Sequence, residues 1–215
     1  MKMNNLIHMV WSQGEPPPPA RHTAEKWNAA LPDFRVVWWD RERGARELPG
    51  FEKVAKASDH PVKTGDILRA FVLHRHGGLY VDHDTAPCDG ERLRELFALL
   101  PNFLVLEDNG LNNAICRFEN PRHLFLSRLI AALQAKPAAQ IRREGIPESV
   151  SVQFWSQVFW ETSKDGALPD VSLLAPSRIF GRVWQRDTEL DPDPLSRHDF
   201  EHSWSGYRNG AGGGG

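Results

Sequence analysis

Two carboxylates, Asp82 and Asp84, stand one residue apart at the end of a short apolar run, Gly78–Val81, in "HRHGGLYVDHDTAP". Like charges so close repel, and they seldom end a buried strand without something positive between them. A hard divalent cation, Mg²⁺ or Mn²⁺, satisfies that need and would bridge the pair to phosphate oxygens. A plain reading stands beside it, because Asp also favours solvated turns. A third is phosphoryl transfer to an aspartate, whose phosphatases carry Asp-x-Asp-x-Thr after an apolar strand. Here Thr85 comes one residue early and Ala86 holds the motif's place.

The elements that must position these groups are legible in part. "LIHMVW" (Leu6–Trp11) and "RVVWWD" (Arg35–Asp40) read as strands around a helical Ala20–Leu31, a strand–helix–strand opening that predicts an α/β fold. "TGDILRAFVLHRHGG" predicts a helix with Thr64 as N-cap and Gly77 as its stop. Asp66 and Arg69 share a face of it at i and i+3. The strand "GLYV" follows and delivers Asp82 and Asp84 to its carboxyl end, where open α/β sheets bind ligands. Further on, Glu91–Leu100 and His123–Ala135 read as helices, Asn102–Asp108 and Asn113–Phe118 as strands, Val152–Glu161 as a helix and "VSLLAP" as a strand.

The chain has 215 residues and a net charge of −2, with no basic stripe, so nucleic acid is not an expected partner. Two cysteines, Cys88 and Cys116, are too few for a disulfide scaffold or a thiolate zinc site and suit reduced thiols. With no apolar run of membrane-spanning length and no signal-peptide pattern, the expectation is a cytoplasmic protein with no transmembrane segment, peripheral membrane contact left open. Eight tryptophans suit a core or a site that stacks bases and sugar rings. Residues 1–209 are expected to form one domain, and Gly210–Gly215, "GAGGGG", a flexible tail.

Three stretches resemble the DXD-containing glycosyltransferases, a family that includes the yeast initiating mannosyltransferase, bacterial capsular polysaccharide transferases and, more distantly, clostridial glucosylating toxins. "LIHMVWSQGEPPPP" resembles the family's opening through Ile7, His8, Trp11, Gly14 and Pro16, without its Ile-Pro-Lys lead-in. "TGDILRAFVLHRHGGLYVDHDT" resembles the signature through Asp66, Arg69, Leu73, Gly77, Gly78, Tyr80, Asp82 and Asp84, with Gly65 in place of the usual Ser. "HDFEHSW" resembles the closing motif through His198, Ser203 and Trp204.

That resemblance implies a single GT-A-type domain with a mostly parallel, Rossmann-like central sheet flanked by helices. It implies transfer of a sugar from a UDP- or GDP-linked donor to a glycan, lipid-linked or protein acceptor, with retention and with Mn²⁺ or Mg²⁺ as cofactor. Arg69, Asp82 and Asp84 would be catalytic. Trp11, Asp66, Arg69, Tyr80, Asp82, Asn112, Asn113, Ser203 and Trp204 would bind the donor. Asp82, Asp84, His198 and Ser203 would hold the metal. Each residue keeps a plain reading: Trp11 as core, Asp66–Arg69 as a surface ion pair, Asn112 and Asn113 as turn residues. "SVQFWSQVFWE" departs from the family, which has a Gly-Pro turn there. Besides the phosphatase, a sugar-nucleotide or glycan-binding module without turnover stays open.

Overall fold

Alternation along the strands decides which side chains reach which layer of this protein. A computed structural model describes residues 5–107, 110–164, 166–175, 179, 182–183, 186–189 and 195–198. In chain order the first half comprises β1 (Leu6–Val10), α1 (Pro18–Ala30), β2 (Arg35–Trp39), α2 (Arg41–Glu47), α3 (Phe51–Ala55), α4 (Pro61–His76), β3 (Gly78–Val81) and β4 (Thr85–Pro87). The second half comprises α5 (Gly90–Leu99), β5 (Asn102–Glu107), β6 (Gly110–Phe118), α6 (Leu124–Ala135), α7 (Ala138–Arg143), α8 (Ile146–Ser149), α9 (Val152–Ser163), β7 (Ser172–Leu174), β8 (Arg182–Val183), β9 (Arg186–Glu189) and β10 (Ser196–His198).

A six-stranded sheet runs β2-β1-β3-β6-β5-β7. β1 pairs in parallel with β2 and β3, and β5 with β7, while β6 runs against both its neighbours. The expected mostly parallel sheet is therefore observed, with β6 as the one reversed strand. After β1 the chain first builds outward to β2 and then crosses back to β3. This reversal opens a crevice at the carboxyl ends of β1 and β3, the usual ligand position in open α/β sheets.

The sheet divides two cores. Ile7, Met9, Leu79 and Val81 pack with Trp27 of α1 and with Leu93 and Phe97 of α5. Val10, Tyr80, Leu111 and Cys116 pack with α4, with Phe125 of α6 and with Trp155 of α9. Tyr80 thus faces α4, and Asp82, two residues on, inherits that face by the period of a strand.

α4 is buried from Lys63 to Leu73 apart from Gly65, so its charged residues have no water to turn to. It begins a full turn before Thr64. Pro61 takes the first helical position, which suits its missing N–H, and His60 Nδ1 accepts from the Val62 N–H at 3.2 Å. Thr64 lies inside the helix, its hydroxyl 3.1 Å from Ser58 Oγ.

The corner from α4 into β3 requires two glycines. Gly77 and Gly78 have φ of +64° and +95°. A Cβ on Gly77 would lie 2.8 Å from the Glu119 carbonyl oxygen, and one on Gly78 2.8 Å from that of Leu6. Among the described residues no helix is long and apolar enough to cross a membrane.

Candidate active site

Arg69 organises the cluster. Its Nη2 lies 2.9 Å from Asp82 Oδ1 and 3.0 Å from Asp66 Oδ1, and its Nη1 donates to the Asn113 carbonyl at 2.6 Å. The guanidinium also stacks on the Tyr80 ring, 4.4 Å from its centroid. Tyr80 in turn donates its hydroxyl to the same Asp82 oxygen at 2.7 Å. Asp66 and Arg69 are only 3% and 7% exposed, so the surface ion-pair reading does not hold.

The electrostatics follow from burial. Burial pushes the Asp66 carboxyl up to about 6, with Arg69 and a hydrogen bond from Ser151 opposing it. The acidic neighbours Asp82 and Asp66 outweigh burial at Arg69 and hold it cationic. Burial raises the Tyr80 phenol well above its ordinary value, so it stays a neutral donor to Asp82. Cys116, pushed up to about 12 by burial, is an inert thiol.

Both amides of the Asn pair come from β6, where the pairing with β5 shifts register between Phe103–Arg117 and Val105–Asn112. Bulges of this kind re-aim side chains beside functional sites. Asn113 is buried toward the cluster, with Nδ2 3.4 Å from Ser151 Oγ. Asn112, adjacent and so on the opposite face, donates to Glu107 Oε1 at 2.8 Å and accepts from the Ala114 N–H at 2.7 Å. The structure therefore brings Asp66, Arg69, Tyr80, Asp82 and Asn113 together and places Asn112 apart.

Trp11 stands at the end of β1, edge-on to His83 with ring centroids 5.0 Å apart, so it borders the crevice. An open cleft of about 440 Å³ begins at the next residue, Ser12, and runs along Asp40, Arg41, Glu42 and Glu52 at the ends of β1 and β2. Behind the aspartates, Thr85 is fully buried, and its carbonyl accepts from the indole N–H of the equally buried Trp27 at 2.6 Å.

β10 pairs antiparallel with β4 and sets the backbone of His198 opposite Thr85, one residue beyond Asp84. Ser203 and Trp204 lie outside the described residues. Among the described residues no three His, Cys, Asp or Glu side chains gather as a metal group. The two carboxylates suit a cation that keeps waters and substrate phosphates among its ligands, as Mg²⁺ and Mn²⁺ do. Asp82 has Oδ1 committed to Arg69 and Tyr80, which leaves Oδ2 for a ligand. The same commitment makes Asp82 a poor phosphoryl nucleophile, since both hydrogen bonds stabilise its resting charge.

The sequence gave no signal for Ser151, whose hydroxyl hydrogen-bonds the Asp66 carboxylate from the start of α9. Nor did it show Trp27 as the anchor of the segment after Asp84.

Comparison with known proteins agrees with this geometry. The profile of the family described as glycosyltransferase sugar-binding region containing DXD motif matches residues 17–90. Mannosyl phosphorylinositol ceramide synthase CSH1 of Saccharomyces cerevisiae is 27% identical over 135 residues, 60% of this chain and 35% of that protein. Mannosyl phosphorylinositol ceramide synthase SUR1 of the same yeast is 26% identical over 184 residues, 80% of this chain and 46% of that protein. The chain thus spans less than half the length of these two relatives. Among solved structures, the PaToxG glycosyltransferase superposes with a TM-score of 0.56 at 12% identity, over 75% of this chain and 70% of that one. At that identity the likeness speaks for the fold.

Proposed function

Because this chain belongs to the glycosyltransferases that carry a DXD sugar-binding region, we propose that it moves a sugar from a UDP- or GDP-linked donor to a glycan, lipid-linked or protein acceptor, with retention at the anomeric carbon. The observation that carries this reading is the Arg69 guanidinium tied to Asp66 and Asp82 beside the crevice between β1 and β3. Residues 1–209 act as one catalytic domain in this account.

The donor lies across the carboxyl ends of the strands. Its nucleoside occupies the cleft beside Trp11, and its diphosphate lies at Asp82 and Asp84. Asp84 and Asp82, with His198 and Ser203 from the C-terminal stretch, would hold Mn²⁺ or Mg²⁺, which supplies positive charge to the diphosphate when bound. Trp204 donates to the diphosphate from the same stretch.

Arg69 and Tyr80 fix the rotamer of Asp82, so its remaining oxygen meets a donor hydroxyl in one orientation. Asp66 and Asn113 receive the sugar's hydroxyls. Arg69 itself is committed to its carboxylates and the Asn113 carbonyl. It therefore acts on the leaving phosphate through its field rather than by direct contact. Asp66 and Asp82 are both engaged, so neither is a free nucleophile, and the acceptor attacks from the face the diphosphate leaves.

The names of the two yeast relatives make mannose the first donor sugar to try and a phosphoinositol lipid the first acceptor. A cytoplasmic setting, with peripheral membrane contact, accords with the exposed free thiol of Cys88. The test is incubation with UDP- and GDP-linked hexoses, with and without Mn²⁺, reading nucleoside diphosphate release and the product's anomeric configuration by NMR. Metal-dependent release with one nucleotide and retained configuration is expected. Inorganic phosphate released from simple esters would point to the phosphatase, binding without turnover to a recognition module, and a sugar trapped covalently on a side chain would overturn front-side attack.

A further inference from the structure

A serine at the start of a helix ordinarily turns its oxygen back to accept from the first-turn N–H groups, a cap worth about 1 kcal/mol. Ser151 stands at that position of the twelve-residue α9 and makes no such bond. Its hydroxyl, on a residue 8% exposed, instead hydrogen-bonds the Asp66 carboxylate of α4 and lies 3.4 Å from Asn113 Nδ2 of β6. Three elements distant in sequence meet at one oxygen. The forgone cap is compensated by a bond to a buried charge, the stronger kind of hydrogen bond.

Sheet order says which part of a donor these groups meet. From edge to centre the strands run β2, β1, β3, β6. The cleft beside Trp11 lies at the ends of β2 and β1, the paired aspartates at β3, and Asn113 with Ser151 at β6 and α9. With strands about 4.8 Å apart, the steps from base to diphosphate to sugar follow the steps from strand to strand. We propose that Ser151 is a positioning residue of the sugar end of the site, fixing Asp66 against the transferred sugar and joining α9 to donor recognition. This rests on the glycosyltransferase reading above.

The hydroxyl acts through Asp66, so Ser151→Ala leaves that carboxylate one donor short, free to turn within its pocket. Ser151→Thr keeps the hydroxyl. The experiment measures, by calorimetry in Mn²⁺, binding of a nucleoside diphosphate and of its sugar conjugate to wild type and both variants, with Tm beside them. Ser151→Ala should bind the sugar nucleotide about tenfold more weakly, the loss expected of one hydrogen bond to a charged group, with the bare diphosphate within about twofold. Ser151→Thr should recover most of that loss. A merely structural serine would lower Tm and weaken both ligands together, and that result, or unchanged binding in Ser151→Ala, overturns the proposal. A wild type that binds sugar nucleotide no better than the bare diphosphate overturns it too, while leaving the nucleotide site standing. A wild type that binds no nucleoside diphosphate overturns the transferase reading and this one with it.

Discussion

A single nitrogen of Arg69 lies 3.0 Å from Asp66 Oδ1 and 2.9 Å from Asp82 Oδ1, so one cation ties the buried helix α4 to the carboxyl end of β3. Removing one partner of such a buried network leaves the others uncompensated, which costs about 3–5 kcal/mol. Arg69→Met should therefore lower stability in urea by that order and abolish donor binding. Arg69→Lys keeps the charge but not the planar fork that serves Asn113 as well as the carboxylates, and should fall between the two.

Two buried groups give pH dependences of opposite sign. His8 is fully buried and accepts the Trp39 indole N–H on Nδ1 at 3.1 Å, so Nε2 carries the proton that goes to the Gly77 carbonyl at 2.8 Å. Burial pushes this imidazole down to about 3. Between pH 6.5 and about 3 the unfolded chain takes up a proton that the folded chain refuses, so His8's contribution to stability is lost as pH falls through that window. His8→Phe should flatten this slope, and should cost at least about 2 kcal/mol at neutral pH by stranding the Trp39 and Gly77 groups.

Asp66 runs the other way. Burial raises its carboxyl from 3.8 to about 6, so between those values the folded chain holds a proton that the unfolded chain has released. Its contribution is full below pH 3.8 and is lost as pH rises to about 6. Urea titrations of wild type and Asp66→Asn should diverge in slope over this window. Donor affinity should fall below pH 6 in wild type, where the carboxylate that receives sugar hydroxyls becomes protonated.

Glycines in one signature should respond oppositely to alanine. Gly78 has a positive φ, and a Cβ there meets the Leu6 carbonyl at 2.8 Å, so Gly78→Ala should destabilise by more than about 1 kcal/mol. Gly65 is helical, and its nearest neighbour would be Val10 Cγ1 at a comfortable 3.6 Å. Gly65→Ala should raise stability by roughly 0.5–1 kcal/mol. Paired Tm measurements decide both.

How much of this was legible beforehand depends on the range of the interaction. The first two strands, the long helix and the paired aspartates follow from periodicity and turn chemistry, which are local. The start of α4 was misplaced because Pro61 with His60 outcompetes Thr64 as a helix start, and both look alike in a polar stretch. Asn112 and Asn113 were indistinguishable until the β5–β6 register shift turned one in and the other out. Ser151 left no trace in sequence, since its partner Asp66 lies far away along the chain and a serine before a helix reads as a cap. The closing motif's Ser203 and Trp204 fall outside the described residues.

The central claim is that Asp82 and Asp84 seat a metal-bound nucleoside diphosphate, and a thermal-shift panel of UDP, GDP, CDP and ADP, with and without Mn²⁺, on wild type and Asp84→Asn, tests it most directly. A ligand at a hundred times its Kd stabilises a fold by about 2.7 kcal/mol, a shift of several degrees. The account predicts that one nucleotide stabilises the wild type only with Mn²⁺, and that Asp84→Asn abolishes the shift. No shift with any nucleotide, or an equal shift in the variant without metal, would contradict it.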